Sequence, residues 1–155
     1  MATNTSKLSI SIEGVRALLE QGRPEAALEM GNHSGQDSPP WQNARAVCLM
    51  RLGKAEEAIR VLRAIVFPGG SICPPDDVPA LYRANFVSAM LLKHSVETVM
   101  PVIEHLKDES HPYVRQLLTA IRCWRKGLTL RERVLWVLGW YPSGRIPFDF
   151  QPGGL

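Results

Sequence analysis

Cysteine is scarce in this chain. There are three among 155 residues, Cys48, Cys73 and Cys123, and no two are close together. An odd, scattered set excludes a disulfide framework and a cysteine-ligated zinc site. Long apolar runs are missing as well. The stretch from Val134 to Trp140 is the most apolar part of the C-terminal region, and it falls far short of the roughly 20 residues that a membrane-spanning helix needs. The opening Met-Ala-Thr-Asn-Thr-Ser-Lys has no apolar core of the kind a secretory signal carries, so the expected location is the cytoplasm. The four histidines lack metal-ligand spacing. His33 falls in a loop-forming stretch, His94 at a turn, His105 beside Glu104 and His111 before Pro112, and no two share a helix face. Pro68-Gly69-Gly70-Ser71 has neither a preceding strand nor a following Lys, which a phosphate loop requires. The sequence therefore nominates no catalytic residue, no metal and no cofactor.

Charge of one sign is also limited, with a formal net of +3, but it is unevenly placed. Residues 1–112 hold 11 Lys and Arg against 13 Asp and Glu, whereas residues 113–155 hold 7 against 2. A composition of 45% hydrophobic and 21% charged residues fits one globular domain with a real core.

Helical periodicity fills most of the chain. Residues 1–8 are polar and read as a flexible N terminus. Helices are expected over 9–21, 24–31, 40–52, 55–66, 78–93, 96–107, 113–126 and 130–139. Gly22 and Gly53 separate the first two pairs, and Pro24 suits a first helical position. Asp76 or Asp77 is expected to cap the fifth helix, and Thr129 with Glu132 to form a capping box on the eighth. Pro101 sits uncomfortably inside the sixth. Cys48 and Cys123 are expected in or near the core, leaving loop residue Cys73 as the reactive thiol. Residues 141–155 form a Pro/Gly-rich tail. Within it Ile146, Phe148 and Phe150 alternate with Pro147 and Asp149, which suits an extended segment laid on a surface.

The most informative stretch runs from Trp41 to Leu62. Small residues stand at Ala46 and Ala58, where two helices would touch closely, on either side of Gly53. A fainter copy precedes it, with Gly22 to Ala27 repeating the five-residue step from Gly53 to Ala58, 31 residues earlier. A repeated helix–turn–helix of that period cannot bury its apolar face alone and must stack on neighbours.

These residues resemble the tetratricopeptide repeat, a helix–turn–helix of about 34 residues. The resemblance covers roughly residues 9–140 and is strongest over the first two units. The third has His94 in place of Gly and Val99 in place of Ala; the fourth keeps Gly127 but has Glu132 at the small position. The chain looks most like the uncharacterised bacterial proteins that carry such repeats. The fold this implies is all-α, a right-handed α-solenoid of about four antiparallel helix pairs ending in an extended tail. The family binds peptides or proteins on a concave face lined by the first helix of each pair. By position, the resemblance places there Ile12, Arg16 and Leu19; Asn43, Val47, Met50 and Arg51; Ala84, Ser88 and Leu91; and Leu117, Ile121 and Trp124. The set is too sparse in Lys, Arg and Asn for the family's carboxylate clamp.

The expected function is thus a non-enzymatic scaffold for an unidentified protein or peptide, with Asn43 and Arg51 fixing register. An external ligand or the chain's own tail, through Phe148 and Phe150, could fill the apolar groove. A second reading assigns the basic C-terminal pair, with Arg115, Arg122 and Lys126 on one stripe and Trp124 and Trp136 interleaved, to nucleic acid or an anionic membrane. Nucleic acid ranks below the scaffold reading, because those tryptophans are expected to pack between helices. A third reading is a homo-oligomerising structural module.

Overall fold

The computed structural model describes residues 3–33, 37–70, 73–103, 106, 110–142 and 144–155, with side chains described from residue 12 onward except His33. Among the described residues the chain is all-helical, with no strand. The helices are α1 (Thr3–Glu20), α2 (Pro24–His33), α3 (Pro39–Arg51), α4 (Ala55–Val66), α5 (Ala80–Lys93), α6 (Val96–Ile103), α7 (Pro112–Lys126) and α8 (Leu130–Val137). Helix α1 thus begins within the stretch set aside as a flexible terminus. The expected positions of Glu104 and His105 on α6 lie outside the described residues, and α6 itself ends two residues after Pro101.

The turns explain the helix pairs. After α1, Gly22 N–H bonds to Leu19 O and Arg23 N–H to Leu18 O, with Gly22 at φ 70°. After α3, Gly53 N–H bonds to Met50 O and Lys54 N–H to Leu49 O, with Gly53 at φ 74°. Both are the Schellman ending, which needs a left-handed residue just past the helix. A Cβ on either glycine would meet nothing within 4 Å. Backbone conformation, not space, is what requires glycine there. The same pair of bonds recurs after α8 at Gly139. The turns after α5 and α7 differ. His94 takes an extended conformation, since a side chain at positive φ would be strained. Gly127 is right-handed, at φ −76°.

One cap departs from expectation. Helix α5 starts after Pro79, with neither Asp76 nor Asp77 as its cap; the fixed φ of Pro79 sets the chain direction instead. At α7 the His111 ring accepts from Tyr113 N–H at 3.2 Å. The Thr129–Glu132 capping box is present as expected.

Helix α3 contacts α1, α2, α4 and α5, and α5 contacts α3, α4, α6 and α7. The small residues Ala27, Ala46 and Ala58 are fully buried, so backbones approach closely where those helices meet. One core cluster gathers residues of α1 to α5, including Val15, Leu19, Trp41, Leu62 and Phe86. A second gathers Val87, Leu91, Val99, Val114, Leu117 and Ile146. Helix α5 supplies both clusters, and the half-buried Met90 packs against each.

Cys48 is buried, as expected for a small core residue, but Cys123 is exposed. It lies on the outer side of α7, beside the exposed Arg122 rather than with the buried Leu117, Leu118 and Ile121. Burial in the first core cluster raises the Cys48 thiol to about 11, against smaller opposing effects of a backbone hydrogen bond and Arg51.

Candidate functional site: a side-chain cradle for an extended segment

The odd-numbered helices α3, α5 and α7 present side chains to one extended segment, residues 144–155. The segment enters at Gly144, whose carbonyl accepts from Val96 N–H at 3.1 Å. That donor belongs to the first turn of α6, where no intrahelical partner exists. A Cβ on Gly144 would stand 3.0 Å from the Trp124 ring. The chain then alternates. Ile146 is buried and Phe148 and Phe150 are half-buried, while Pro147, Asp149 and Gln151 are exposed. Phe150 meets Phe148 edge-on at 5.3 Å and Tyr113 edge-on at 6.0 Å. The inward-facing aromatics expected from the alternation are thus in place.

The segment ends in a polar lock. A helix has already used its interior backbone groups on itself, so an extended strand laid over helices must find side-chain partners. Residues 152–154 find them completely. Arg51 Nε donates to Pro152 O at 3.0 Å and Nη2 to Gly153 O at 3.3 Å. Gly153 N–H donates to the Tyr113 hydroxyl at 2.7 Å. Gly154 N–H donates to Asn85 Oδ1 and Gly154 O accepts from Asn85 Nδ2, both at 2.9 Å. Proline has no N–H, so every backbone polar group from Pro152 through Gly154 has a partner.

Proton directions follow from this arrangement. Ser88 has one hydroxyl proton, and Oγ donates it to Ala84 O at 2.9 Å. The 2.7 Å bond between Ser88 Oγ and Tyr113 Oη is therefore donated by Tyr113. The Tyr113 oxygen is left as an acceptor for Gly153. Burial raises the Tyr113 pKa, opposed by its bonds to Ser88 and Gly153 and by Arg51, so the phenol keeps its proton in the physiological range. Burial lowers the Arg51 pKa, opposed by Tyr113 and Cys48; a guanidinium remains charged at neutral pH all the same. Its two bonds are therefore charge-assisted.

Shape adds selectivity. Gly153 sits at φ 91°, and a Cβ there would approach Val47 Cγ1 to 2.8 Å and Met50 Cε to 2.9 Å. A Cβ on Gly154 would come within 2.7 Å of the Tyr113 ring and 3.1 Å of Leu81. The cradle reads two consecutive residues without side chains.

The nominated residues fall into three groups. Asn43, Val47, Met50 and Arg51 surround the Gly153–Gly154 step directly or through Asn85, and Ser88 acts through Tyr113. Trp124 packs at Gly144, and Ile121 and Leu91 belong to the core cluster that receives Ile146. Arg16 is exposed on α1 and Leu19 is buried in the first cluster; the described bonds of the tail involve neither. Three contributors were not nominated: Asn85, Tyr113 and Leu81. Asn85 carried a signal, a polar residue amid the apolar run of α5, and the structure buries it fully. Tyr113 begins a helix and gives no such hint.

Other surfaces are less specific. A shallow cleft of about 850 Å³ runs between α7 and the tail, past Arg115, Thr119, Cys123, Trp124 and Phe148. Among the described residues no three of His, Cys, Asp and Glu gather as a metal ion would require. No described helix is long and apolar enough to cross a membrane. Comparison with protein-family models, with curated proteins and with solved structures returns no match.

Proposed function

We propose that this chain is a non-enzymatic binding scaffold. In this reading it is a right-handed stack of tetratricopeptide-like helix pairs whose concave face grips extended polypeptide through its backbone, and residues 144–155 occupy that face in cis. The serial contacts of α1, α3, α5 and α7 and the paired Schellman turns at Gly22 and Gly53 support the stacking. One observation carries the binding role: Arg51, Tyr113 and Asn85 satisfy all backbone polar groups of residues 152–154. The end of the site built this way recognises main chain, and its stringent demand there is a Gly-Gly step. Three free thiols favour a reducing compartment such as the cytoplasm.

The resident segment makes the site self-competing. An external ligand meets an effective local concentration of tail in the range of millimolar or above, so partners gain access in proportion to tail release. The test is a labelled peptide with the sequence of residues 144–155, offered to the full chain and to a Gly154→Val variant. The variant should bind the peptide and the parent should not. Failure of the variant to bind, with its helical circular dichroism intact, would leave the segment as a permanent structural strap and remove the peptide-binding reading.

A further inference from the structure

Helix α8 is built inside out. Leu130, Val134, Val137 and Leu138 are 80%, 53%, 80% and 68% exposed, and Trp140 just beyond is 72% exposed. At about 100° per residue the first four form one stripe about 100° wide, with Arg131 on one edge and Arg133 on the other. The opposite side holds Trp136, which packs near Trp124 at 6.1 Å and Tyr141 at 5.0 Å. The polar ring continues onto the end of α7. The Arg125 guanidinium lies 5.1 Å from the Trp136 ring centre. Arg122, Arg125, Lys126 and Arg133 share a cleft of about 360 Å³ with Trp136 and Val137. Residues 122–140 contain five cationic side chains and one acidic one, Glu132. The capping box occupies Glu132 and holds its carboxyl below the ordinary value through Thr129.

We propose that α8 and the turn after it form a docking element for the surface of an anionic phospholipid bilayer. Leu130, Val134, Val137 and Leu138 enter the headgroup–acyl boundary, Trp140 lies at headgroup level, and Arg125, Lys126 and Arg131 meet lipid phosphates, while the Arg133 guanidinium donates to the Leu128 and Lys126 carbonyls at the base of the helix. An apolar stripe bordered by Arg and Lys with an aromatic at its end is the composition that lies in the plane of such an interface. Charge selects among occupants. A second copy would bring the same excess of five cations over one carboxylate against itself, which opposes a symmetric dimer through this face. Nucleic acid would satisfy the cations but leave the projecting stripe in water. A bilayer carrying anionic lipid satisfies both.

The test uses the full chain with vesicles of phosphatidylcholine alone and of phosphatidylcholine mixed with phosphatidylserine. Cosedimentation is expected with the mixed vesicles only and should weaken as salt is raised. Arg125→Gln and Arg131→Gln should each reduce binding about fivefold. A Val137→Asp, Leu138→Asp double variant should abolish it while circular dichroism and melting stay unchanged, since both positions are exposed. Mixed vesicles should shift tryptophan emission to the blue, and Trp140→Phe should remove that shift. Equal binding to neutral vesicles, binding retained by the double variant, no binding to either vesicle, or a dimer that the double variant dissociates would each overturn the proposal.

Discussion

Asn85 Nδ2 donates to Asn43 Oδ1 at 2.8 Å, joining α5 to α3 through two buried amides 42 residues apart. The bond orients Asn85. With Gly154 N–H needing an acceptor and Gly154 O a donor, only one placement of the Asn85 amide satisfies all three partners. Asn43 does not touch the tail in any described bond; it fixes the residue that does.

Asn85→Ala removes three hydrogen bonds and should release the end of the tail. Each such bond contributes about 1 kcal/mol net, so a loss of about 2–3 kcal/mol is expected. Hydrogen exchange should rise at Gly153 and Gly154 while α3 and α4 stay protected. Asn43→Ala should show the same pattern more weakly. Unchanged exchange at both glycines in Asn85→Ala would refute the lock.

Glycine substitutions separate space from conformation. Gly53→Ala meets open space at positive φ and should cost about 1 kcal/mol without moving the tail. Gly154→Ala has no such φ penalty but collides with Tyr113 and Leu81. It should displace the tail and expose residues 150–155 to limited proteolysis. Proteolysis equal to the parent's in Gly154→Ala would show that the cradle tolerates a side chain.

Tyr113→Phe deletes one donor and one acceptor in the relay from Gly153 to Ser88. Leaving the Gly153 N–H without its partner should cost about 1–3 kcal/mol, and Ser88→Ala should cost less because the tail keeps its direct bond to the phenol. Tail hydrogen exchange and chemical denaturation check both.

Alkaline pH should weaken the fold through Cys48. Its folded pKa of about 11 lies above the ordinary 9.0. The unfolded chain therefore loses this proton first, and stability is full below pH 9 and falls as pH rises through about 11. The loss should be about 2–3 kcal/mol, and Cys48→Ala should flatten it. Tyr82 and Tyr113, both raised by burial, add to the decline above pH 10. A thiol reagent at pH 8 should label Cys73 and Cys123 in the folded chain and reach Cys48 only on unfolding. Rapid labelling of Cys48 would contradict its burial.

Much of this molecule was readable from residue order alone. Local chemistry decides helices: the 3.6-residue recurrence of apolar side chains, glycines at Schellman positions, and the Thr129–Glu132 pair are each complete within a few residues. Alternation of Ile146, Phe148 and Phe150 likewise announced an extended segment with one inward face. The cysteine reading failed at Cys123, where one step around α7 separates core from solvent and periodicity cannot resolve it. The outward stripe of α8 was equally hidden, because an apolar helix face predicts burial only if a neighbour covers it. Above all, tertiary structure chose the occupant of the α3–α5–α7 face. An apolar surface accepts many partners, and only when Arg51, Asn85 and Tyr113 converge from three helices, with Asn43 orienting Asn85, do their donors and acceptors match the backbone of residues 152–154, while Val47, Met50, Leu81 and the Tyr113 ring leave no room for a larger side chain.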